Sequence, residues 1–382
     1  MIQFRRDSQA VLILKYLCLC GEFPWQSVYL LPANEVTLRR TILKMRKEKY
    51  LTVLGSGEYK TIRMTKKAFP VLENFFPELL RYYMLITNNH HFRGGVYKNN
   101  NVGQRQTWRR HRMAEALCVF GELDCKLLPI EKPILVDKIT SPANISAEER
   151  VFYSSIELKN LDPQQKYKTD FTRLLGVYLS PGGVYCVYNT NKRLMKWNTQ
   201  GESKMQVLVE DVVRTNYEPY LSSNFLATNA LIFGGDLNMA QRILKNNSPQ
   251  KTSDFEFLSF DNIYDNIYFV TLDINGIRQL NIMSFKNWHS ILNKIILGVD
   301  NDLSVKYNVD CDSFSDGKYI LMFLDGNIAR LQRFKQAKDL AQENNFEIIC
   351  YPWQVDFILE YFNNNINIST VSIDSIEKHF YS

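Results

Sequence analysis

The sequence lacks the features that mark several large protein classes. No stretch approaches the roughly 18 consecutive apolar residues that a membrane span needs. The seven cysteines are scattered without a CxxC pair, which disfavours structural zinc and predicts buried thiols. Neither a GxGxxG nor a Gly-Lys-Ser/Thr sequence is present, so dinucleotide and P-loop nucleotide binding have no support. The five histidines include the adjacent pair His90-His91, which has no further ligand at metal spacing and predicts no metal site.

The amino-terminal segment has the outline of a secretion signal but not its details. Arg5 and Arg6 precede an apolar run, yet Asp7 follows them and Lys15 interrupts the run. A small-residue cleavage site does not follow. We therefore expect a cytoplasmic protein without a membrane partner.

Positive charge is concentrated at the front of the chain. Residues 1–125 contain 20 Lys and Arg against 10 Asp and Glu, which leaves 26 against 30 for residues 126–382. The net charge is thus +10 in the first part and −4 in the second. Clustered Lys and Arg are what phosphate contacts require, so double-stranded DNA is the expected partner of the front part.

The first 80 or so residues predict three helices followed by a β-hairpin. Helices are expected at residues 8–20, 24–31 and 35–48, with Asn34 capping the third. The runs YLTVL and EYKTIRM flank a glycine-rich turn, and Thr65 is expected to cap a fourth helix. This order is typical of a winged helix-turn-helix domain, which we assign to residues 1–87.

The third helix would present a basic face. If Leu38, Ile42 and Met45 face the core, the residues opposite them are free to enter a major groove. The predicted contacts from this helix are Thr37, Arg39, Arg40, Thr41, Lys44 and Lys47. Tyr59, Lys60 and Arg63 of the hairpin would hold phosphates or reach a minor groove. Two alternatives remain open, a solvated helix surface and a winged helix used for protein contacts.

A polar linker is expected at residues 88–106, followed by a basic helix through about Leu123. Arg109 and Arg110 near its start would extend the DNA contacts. An alternative is that Arg109 and Arg112 pair with acidic groups of the next domain.

These features resemble the replication–relaxation type proteins of Gram-positive plasmids and integrative conjugative elements. The resemblance rests on the LRRTI and YKTIRMT segments of residues 8–70 and on RRHRMAEAL within residues 107–122. It implies a DNA-binding protein that serves replication, mobilisation or its regulation, with relaxase or replication proteins as partners.

The middle region, residues 107–215, is expected to be β-rich, with strands at 133–137 and 151–159 and a hairpin at 176–189. Asp137, Glu157 and Lys159 have the residue types of a PD-(D/E)xK nuclease, in which carboxylates hold Mg²⁺ and the lysine helps to activate water. The alternatives are a degenerate nuclease-like fold and an unrelated sheet with Glu157 and Lys159 facing solvent.

Residues 216–382 alternate strands and helices, which predicts an α/β layer. Gly234-Gly235-Asp236 and Asp325-Gly326-Asn327 fall between a strand and a helix. At both places an Asp or Asn that caps the helix is the favoured interpretation, and Asp325 is the better site candidate of the two.

We thus expect a multidomain α+β and α/β protein that binds specific DNA sites without a cofactor and without established catalysis. A Mg²⁺-dependent nuclease and a transcription regulator with a carboxy-terminal effector or dimerisation domain are the alternative functions. Homo-oligomerisation through the back part also stays open.

Overall fold

The computed structural model describes residues 2–88, 101–133, 149–159, 172–196, 198–216, 229–246, 255–298, 309–341 and 345–381. The chain divides into two compact units, residues 1–133 and 134–382. Both units mix helices with sheet, so the chain is an α+β protein.

The first unit is built from helices around a small antiparallel sheet. Its helices are α1 (Gln9–Cys20), α2 (Glu35–Lys47), α3 (Phe69–Phe75), α4 (Pro77–Asn88) and α5 (Asn101–Glu122). Its strands are β1 (Phe23–Pro24), β2 (Leu51–Leu54) and β3 (Thr61–Met64), in the order β1-β3-β2. Short 3-10 helices lie at Trp25–Leu30, Gly57–Tyr59 and Lys66–Ala68.

Helix α1 is the centre of this unit. Nine of its residues are buried, among them Leu14 and Leu17 with no exposed surface. It packs against α2, α4 and α5, so it is apolar on nearly every side. The expected helix at 24–31 is a 3-10 helix, and the hairpin and the helix α2 lie where the sequence predicts them.

Thr65 differs from its expected role as a helix cap. It precedes the 3-10 helix at Lys66–Ala68, but its side chain makes no capping hydrogen bond there. Its hydroxyl instead donates to the carbonyl oxygens of Lys49 and Tyr50, at 2.6 and 3.1 Å. The residue therefore ties the end of β3 back to the chain before β2.

The second unit contains a five-stranded and a four-stranded sheet. The first has the order β4-β5-β6-β7-β8 and consists of β4 (Val151–Ser154), β5 (Gly176–Ser180), β6 (Gly183–Asn191), β7 (Asn229–Gly234) and β8 (Asn266–Thr271). The second has the order β12-β11-β10-β9 and consists of β9 (Ser313–Ser315), β10 (Lys318–Met322), β11 (Phe346–Cys350) and β12 (Asn367–Thr370). In each sheet one end is antiparallel and the rest is parallel.

Helices connect the parallel strands within each sheet, lie between β8 of the first sheet and β9 of the second, and follow β12. They are α7 (Thr199–Asn216), α8 (Leu237–Lys245), α9 (Phe257–Asp261), α10 (Ile274–Met283), α11 (Trp288–Leu297), α12 (Ile328–Ala341), α13 (Val355–Tyr361) and α14 (Ile373–Glu377). The strands β5 to β8 are buried almost throughout, as expected for a sheet that is covered on both faces. One apolar core joins the two sheets, with Ile232 of the first and Ile348 of the second both fully buried.

A chain of asparagines also links the strand ends. Asn327 donates to Asn266 at 2.9 Å, and Asn266 donates to Asn229 at 3.0 Å. Asn229 donates in turn to the carbonyl oxygen of Val184, at 3.1 Å. These bonds satisfy side-chain amides at the starts of β7, β8 and α12, which supports a structural role for Asn327.

The prediction of a strand over residues 151–159 is wrong beyond Ser154. Residues Ser155–Lys159 form a short helix, α6. Ser154 and Glu157 make a reciprocal capping box, in which the Glu157 amide donates to the Ser154 hydroxyl and the Ser154 amide donates to the Glu157 carboxylate, at 3.4 and 2.7 Å. The Ser-x-x-Glu spacing therefore ends the strand and starts a helix.

The structure also divides the chain differently from the boundaries expected at residues 87, 106 and 215. The basic helix α5 packs on α1 within the first unit. Strand β6 pairs in parallel with β7, so one sheet crosses the boundary expected at 215. The hairpin expected at 176–189 is confirmed as β5 and β6. Among the described helices, none combines the length and the apolar character that crossing a membrane requires.

Candidate nucleic-acid interface

Helix α2 is fixed in the first unit by its cap and by one apolar stripe. The side chain of Asn34 accepts a hydrogen bond from the Thr37 amide at 3.2 Å, which confirms the predicted cap. Leu38, Ile42 and Met45 have no exposed surface. These contacts set the rotation of the helix about its axis, and so decide which residues face outward.

The outward face of α2 carries most of the predicted basic residues. Thr37, Arg40, Lys44 and Lys47 are all exposed. At 100° per residue they lie within an arc of roughly 80°. Arg40 and Lys47 form no ion pair with any residue that the structure describes. Three cationic side chains thus stand together on a surface where a polyanion can replace water around them.

The two other predicted contacts of this helix have partners inside the unit. The Arg39 guanidinium pairs with Glu35 at 2.7 Å, donates to the Trp25 carbonyl oxygen at 3.2 Å and lies over the Trp25 ring at 5.1 Å. The hydroxyl of Thr41 donates to Gln9 of α1 at 3.2 Å. Both residues flank the exposed face and help to hold the helix in place.

The hairpin residues fold back onto aromatic rings. Tyr59 stacks on Trp108 of α5, with ring centroids 5.6 Å apart. The ammonium of Lys60 lies 4.3 Å from the centre of the Trp25 ring. Such contacts fix the direction of the hairpin while each side chain stays partly exposed. Arg39 of α2 lies over the same Trp25 ring, so the charge of Lys60 is held close to α2.

Arg63 and Arg110 converge on one buried carboxylate. Both guanidiniums pair with Glu22, whose side chain has no exposed surface. The pair of arginines compensates a charge that burial alone would penalise heavily. Their positions differ from the expectation that they contact DNA through free guanidinium groups. The remaining predicted residue, Arg109, is half-buried. It lies near the beginning of the part of α5 whose side chains the structure describes.

His111 lies beside this ion pair in the interior of the first unit. It is 5% exposed, and burial lowers its pKa to about 4, although the charge of Glu22 acts in the opposite direction. The imidazole is therefore neutral at physiological pH. It adds nothing to the positive surface that the sequence RRHRM indicates.

The three candidate nuclease residues do not form a described site. Asp137 lies outside the described residues. Glu157 and Lys159 lie on α6 rather than on a strand, and the Glu157 carboxylate is occupied by the amide of Ser154. The neighbouring strands β5 and β6 contain no carboxylate residue. Within the described ranges, no three His, Cys, Asp or Glu side chains come together as a metal site would require.

Charged residues of the second unit form a closed network around Arg330. Its guanidinium pairs with Asp310 and with Asp312, at 2.9 Å in each case. Asp312 is also 3.5 Å from His289. Burial by itself raises the pKa of Asp312, but Arg330 and His289 together hold it below its ordinary value. The charges compensate each other within the unit.

Asp325, the other sequence candidate, is buried at the end of this network. Its carboxylate accepts from the Asn327 amide at 2.9 Å, and Asn327 accepts from the Arg330 amide at 3.2 Å. Burial raises the pKa of Asp325 to about 6, and Arg330 opposes that shift. The favoured interpretation of a helix start capped by Asn is confirmed here. Asp236 likewise caps α8 by accepting from Met239 at 3.1 Å.

The cysteines are consistent with their expected role as buried thiols. Six of the seven are buried and Cys311 is half-buried. Burial raises the pKa of Cys311 to about 11 and that of Cys350 to about 12. Thiols that stay protonated are weak nucleophiles and weak metal ligands, so they suit a role in packing.

Two exposed residues of α2 were not among the predicted contacts. Val36 and Leu43 lie on the same side as Arg40, with half or more of their surface accessible. A signal for them exists in the sequence, because positions 36, 40, 43 and 47 recur at helical spacing. Attention to charge alone misses apolar residues on the exposed face of a helix.

Comparisons with models of protein families, with curated proteins and with solved structures find no match to this chain.

Proposed function

We propose that the first unit is a winged helix-turn-helix domain that binds double-stranded DNA. The observation that supports it best is the exposed face of α2, where Arg40, Lys44 and Lys47 stand opposite a fully buried apolar stripe. The 3-10 helix at Trp25–Leu30 and α2 would form the helix-turn-helix. The hairpin of β2 and β3, completed by β1, would form the wing.

The dimensions of α2 suit the major groove. From Val36 to Lys47 the exposed face extends for roughly 16 Å at 1.5 Å per residue. A B-DNA major groove is about 12 Å wide and admits one helix, whose amino-terminal part then contacts base edges. In this arrangement Arg40 contacts a base, while Lys44 and Lys47 contact phosphates. Tyr59 and Lys60, held by Trp108 and Trp25, lie on the wing beside the groove.

The biological setting follows from the sequence resemblance alone. We propose a cytoplasmic protein that acts on plasmid or conjugative-element DNA in replication, mobilisation or its regulation. The second unit would then serve assembly with relaxase or replication proteins or with further copies of the chain. Its net charge of −5 over residues 134–382, against +11 over residues 1–133, supports DNA contact through the first unit.

The test is DNA binding by the full chain, measured by fluorescence anisotropy on a duplex selected from a random-sequence library. We expect Arg40→Ala combined with Lys44→Ala to weaken binding by about 30-fold, because one base contact and one phosphate contact are lost. The control is Arg81→Ala, which removes an exposed arginine of α4 that pairs with Glu78 at 2.5 Å. Equal affinities of the double variant and the control would contradict the proposal.

A further inference from the structure

Two apolar side chains stand in the middle of the basic face of α2. Val36 is 56% exposed and Leu43 is 50% exposed. Single exposed apolar residues are common on protein surfaces. These two are separated by seven residues, which is two helical turns, so they lie one above the other along the helix.

Helix α2 has a buried side on which apolar residues pack, but Val36 and Leu43 do not lie on that side. Leu38, Ile42 and Met45 fill the inward stripe completely. The Asn34 cap and this stripe together prevent α2 from rotating to bury Val36 or Leu43. Their exposure is therefore a fixed property of the surface.

The surrounding charge identifies the partner. Arg40 lies between the two apolar residues along the face, and Lys44 and Lys47 lie beside them. A cationic surface of this kind attracts a polyanion and disfavours a purely apolar protein partner. In the DNA major groove, the apolar group that a protein side chain can contact is the 5-methyl group of thymine.

We propose that Val36 and Leu43 recognise the methyl groups of two thymines, with Arg40 contacting a guanine between them. This inference rests on the proposed DNA binding and specifies the class of site. The two side chains are roughly 10 Å apart along the helix at 1.5 Å per residue, and base pairs rise by about 3.4 Å, so the thymines lie about three base pairs apart.

The experiment uses the full chain and the duplex that it prefers in selection from a random library. Each thymine is replaced in turn by deoxyuridine, which removes only the methyl group. At two positions about three base pairs apart, we expect affinity to fall about fourfold, the effect of about 0.8 kcal/mol for one buried methyl group.

Variants then assign each thymine to its side chain. Val36→Ala should abolish the effect of deoxyuridine at one of the two positions, and Leu43→Ala at the other. Met84→Ala, which truncates a 42% exposed methionine of α4, is the matched control and should leave both effects intact.

The possible results distinguish thymine recognition by Val36 and Leu43 from DNA binding as such. If the chain binds DNA with site preference but no deoxyuridine replacement changes affinity, thymine recognition is overturned and DNA binding stands. Methyl effects that persist unchanged in both alanine variants also overturn the assignment to Val36 and Leu43. Absence of DNA binding by the full chain overturns both proposals.

Discussion

Each unit contains a group of positive charges, and the two groups differ in how they are paired. In the first unit, Arg40 and Lys47 are exposed on α2 and have no ion-pair partner among the described residues. In the second unit, Arg330 contacts two aspartates, and Arg278 of α10 pairs with Asp374 and Glu377. The first arrangement leaves charge available to another molecule, whereas the second neutralises it internally.

Net charge alone does not locate a binding surface. Arg63 and Arg110 contribute to the positive charge of the first unit, yet both are bound to Glu22. Exposure and pairing decide which cations can meet phosphate. By that standard the exposed cations of α2 are available to phosphate, whereas Arg63 and Arg110 are not.

The largest effect is expected from the removal of the Glu22 carboxylate, which pairs with Arg63 and Arg110 in the first unit. Glu22→Gln should lower the free energy of unfolding of that unit by about 3–5 kcal/mol, because two partly buried guanidiniums lose the fully buried carboxylate that is their counter-charge. Hydrogen exchange of the α1 and α5 amides in the full chain measures the effect unit by unit.

The matched control for that variant is Glu35→Gln. It removes the partly exposed partner of Arg39, and a surface pair of this type contributes less than about 1 kcal/mol. If both variants change the hydrogen exchange of the α1 and α5 amides equally, Glu22 does not stabilise the interior of the first unit more than a surface ion pair does.

A second prediction concerns acid sensitivity of the first unit. The pKa of His111 in the folded chain is about 4, below its ordinary value of 6.5, so the folded state resists protonation that the unfolded state accepts. The contribution of His111 to stability is complete above pH 6.5 and is lost as the pH falls toward 4. The loss is about 3 kcal/mol at 1.36 kcal/mol per pKa unit.

The measurement is the pH dependence of hydrogen exchange protection, after correction for intrinsic exchange rates, in the wild type and in His111→Gln. The difference between the two chains should change between pH 6.5 and 4 in α5 and its neighbours. A constant difference over that window would show that the imidazole is protonated in the folded state.

The second unit should show the opposite dependence through Asp325. Its pKa is raised from 3.8 to about 6, so the folded state disfavours the ionised carboxylate. The stability that the protonated form provides is complete below pH 3.8 and is lost as the pH rises through 6. The expected change is of order 1–3 kcal/mol.

Asp325→Asn should remove this dependence, because the amide oxygen can still accept from Asn327 without ionising. Protection of the β8 and β10 amides in the two chains should therefore diverge between pH 4 and 6. Parallel pH profiles of variant and wild type would mean that Asp325 is ionised throughout, with Arg330 outweighing burial.

Local sequence signals predicted the local parts of this structure. The Asn34 cap and the Leu38, Ile42 and Met45 spacing depend on neighbours within one helix, and both are confirmed. The Ser154-x-x-Glu157 spacing that starts α6 is also present in the sequence, although the segment VFYSSIELK was predicted to be a strand throughout.

Contacts between distant parts of the chain could not be predicted in the same way. Nothing local indicates that Arg63 and Arg110 meet at Glu22, 41 and 88 residues away along the chain. The parallel pairing of β6 with β7 spans a long connection and places one sheet across an expected domain boundary. The exposure of Thr37, Arg40, Lys44 and Lys47 was predictable because helix geometry determines which residues lie opposite the buried stripe of α2.

The salt dependence of DNA binding by the full chain tests whether the exposed cations of α2 contact DNA. We expect the logarithm of the association constant to fall linearly with the logarithm of salt concentration. In Arg40→Ala with Lys44→Ala, the slope should decrease in magnitude by about 0.9, since Lys44 accounts for one phosphate and Arg40 contacts a base. An unchanged slope together with unchanged affinity would contradict the proposal that the exposed face of α2 contacts DNA.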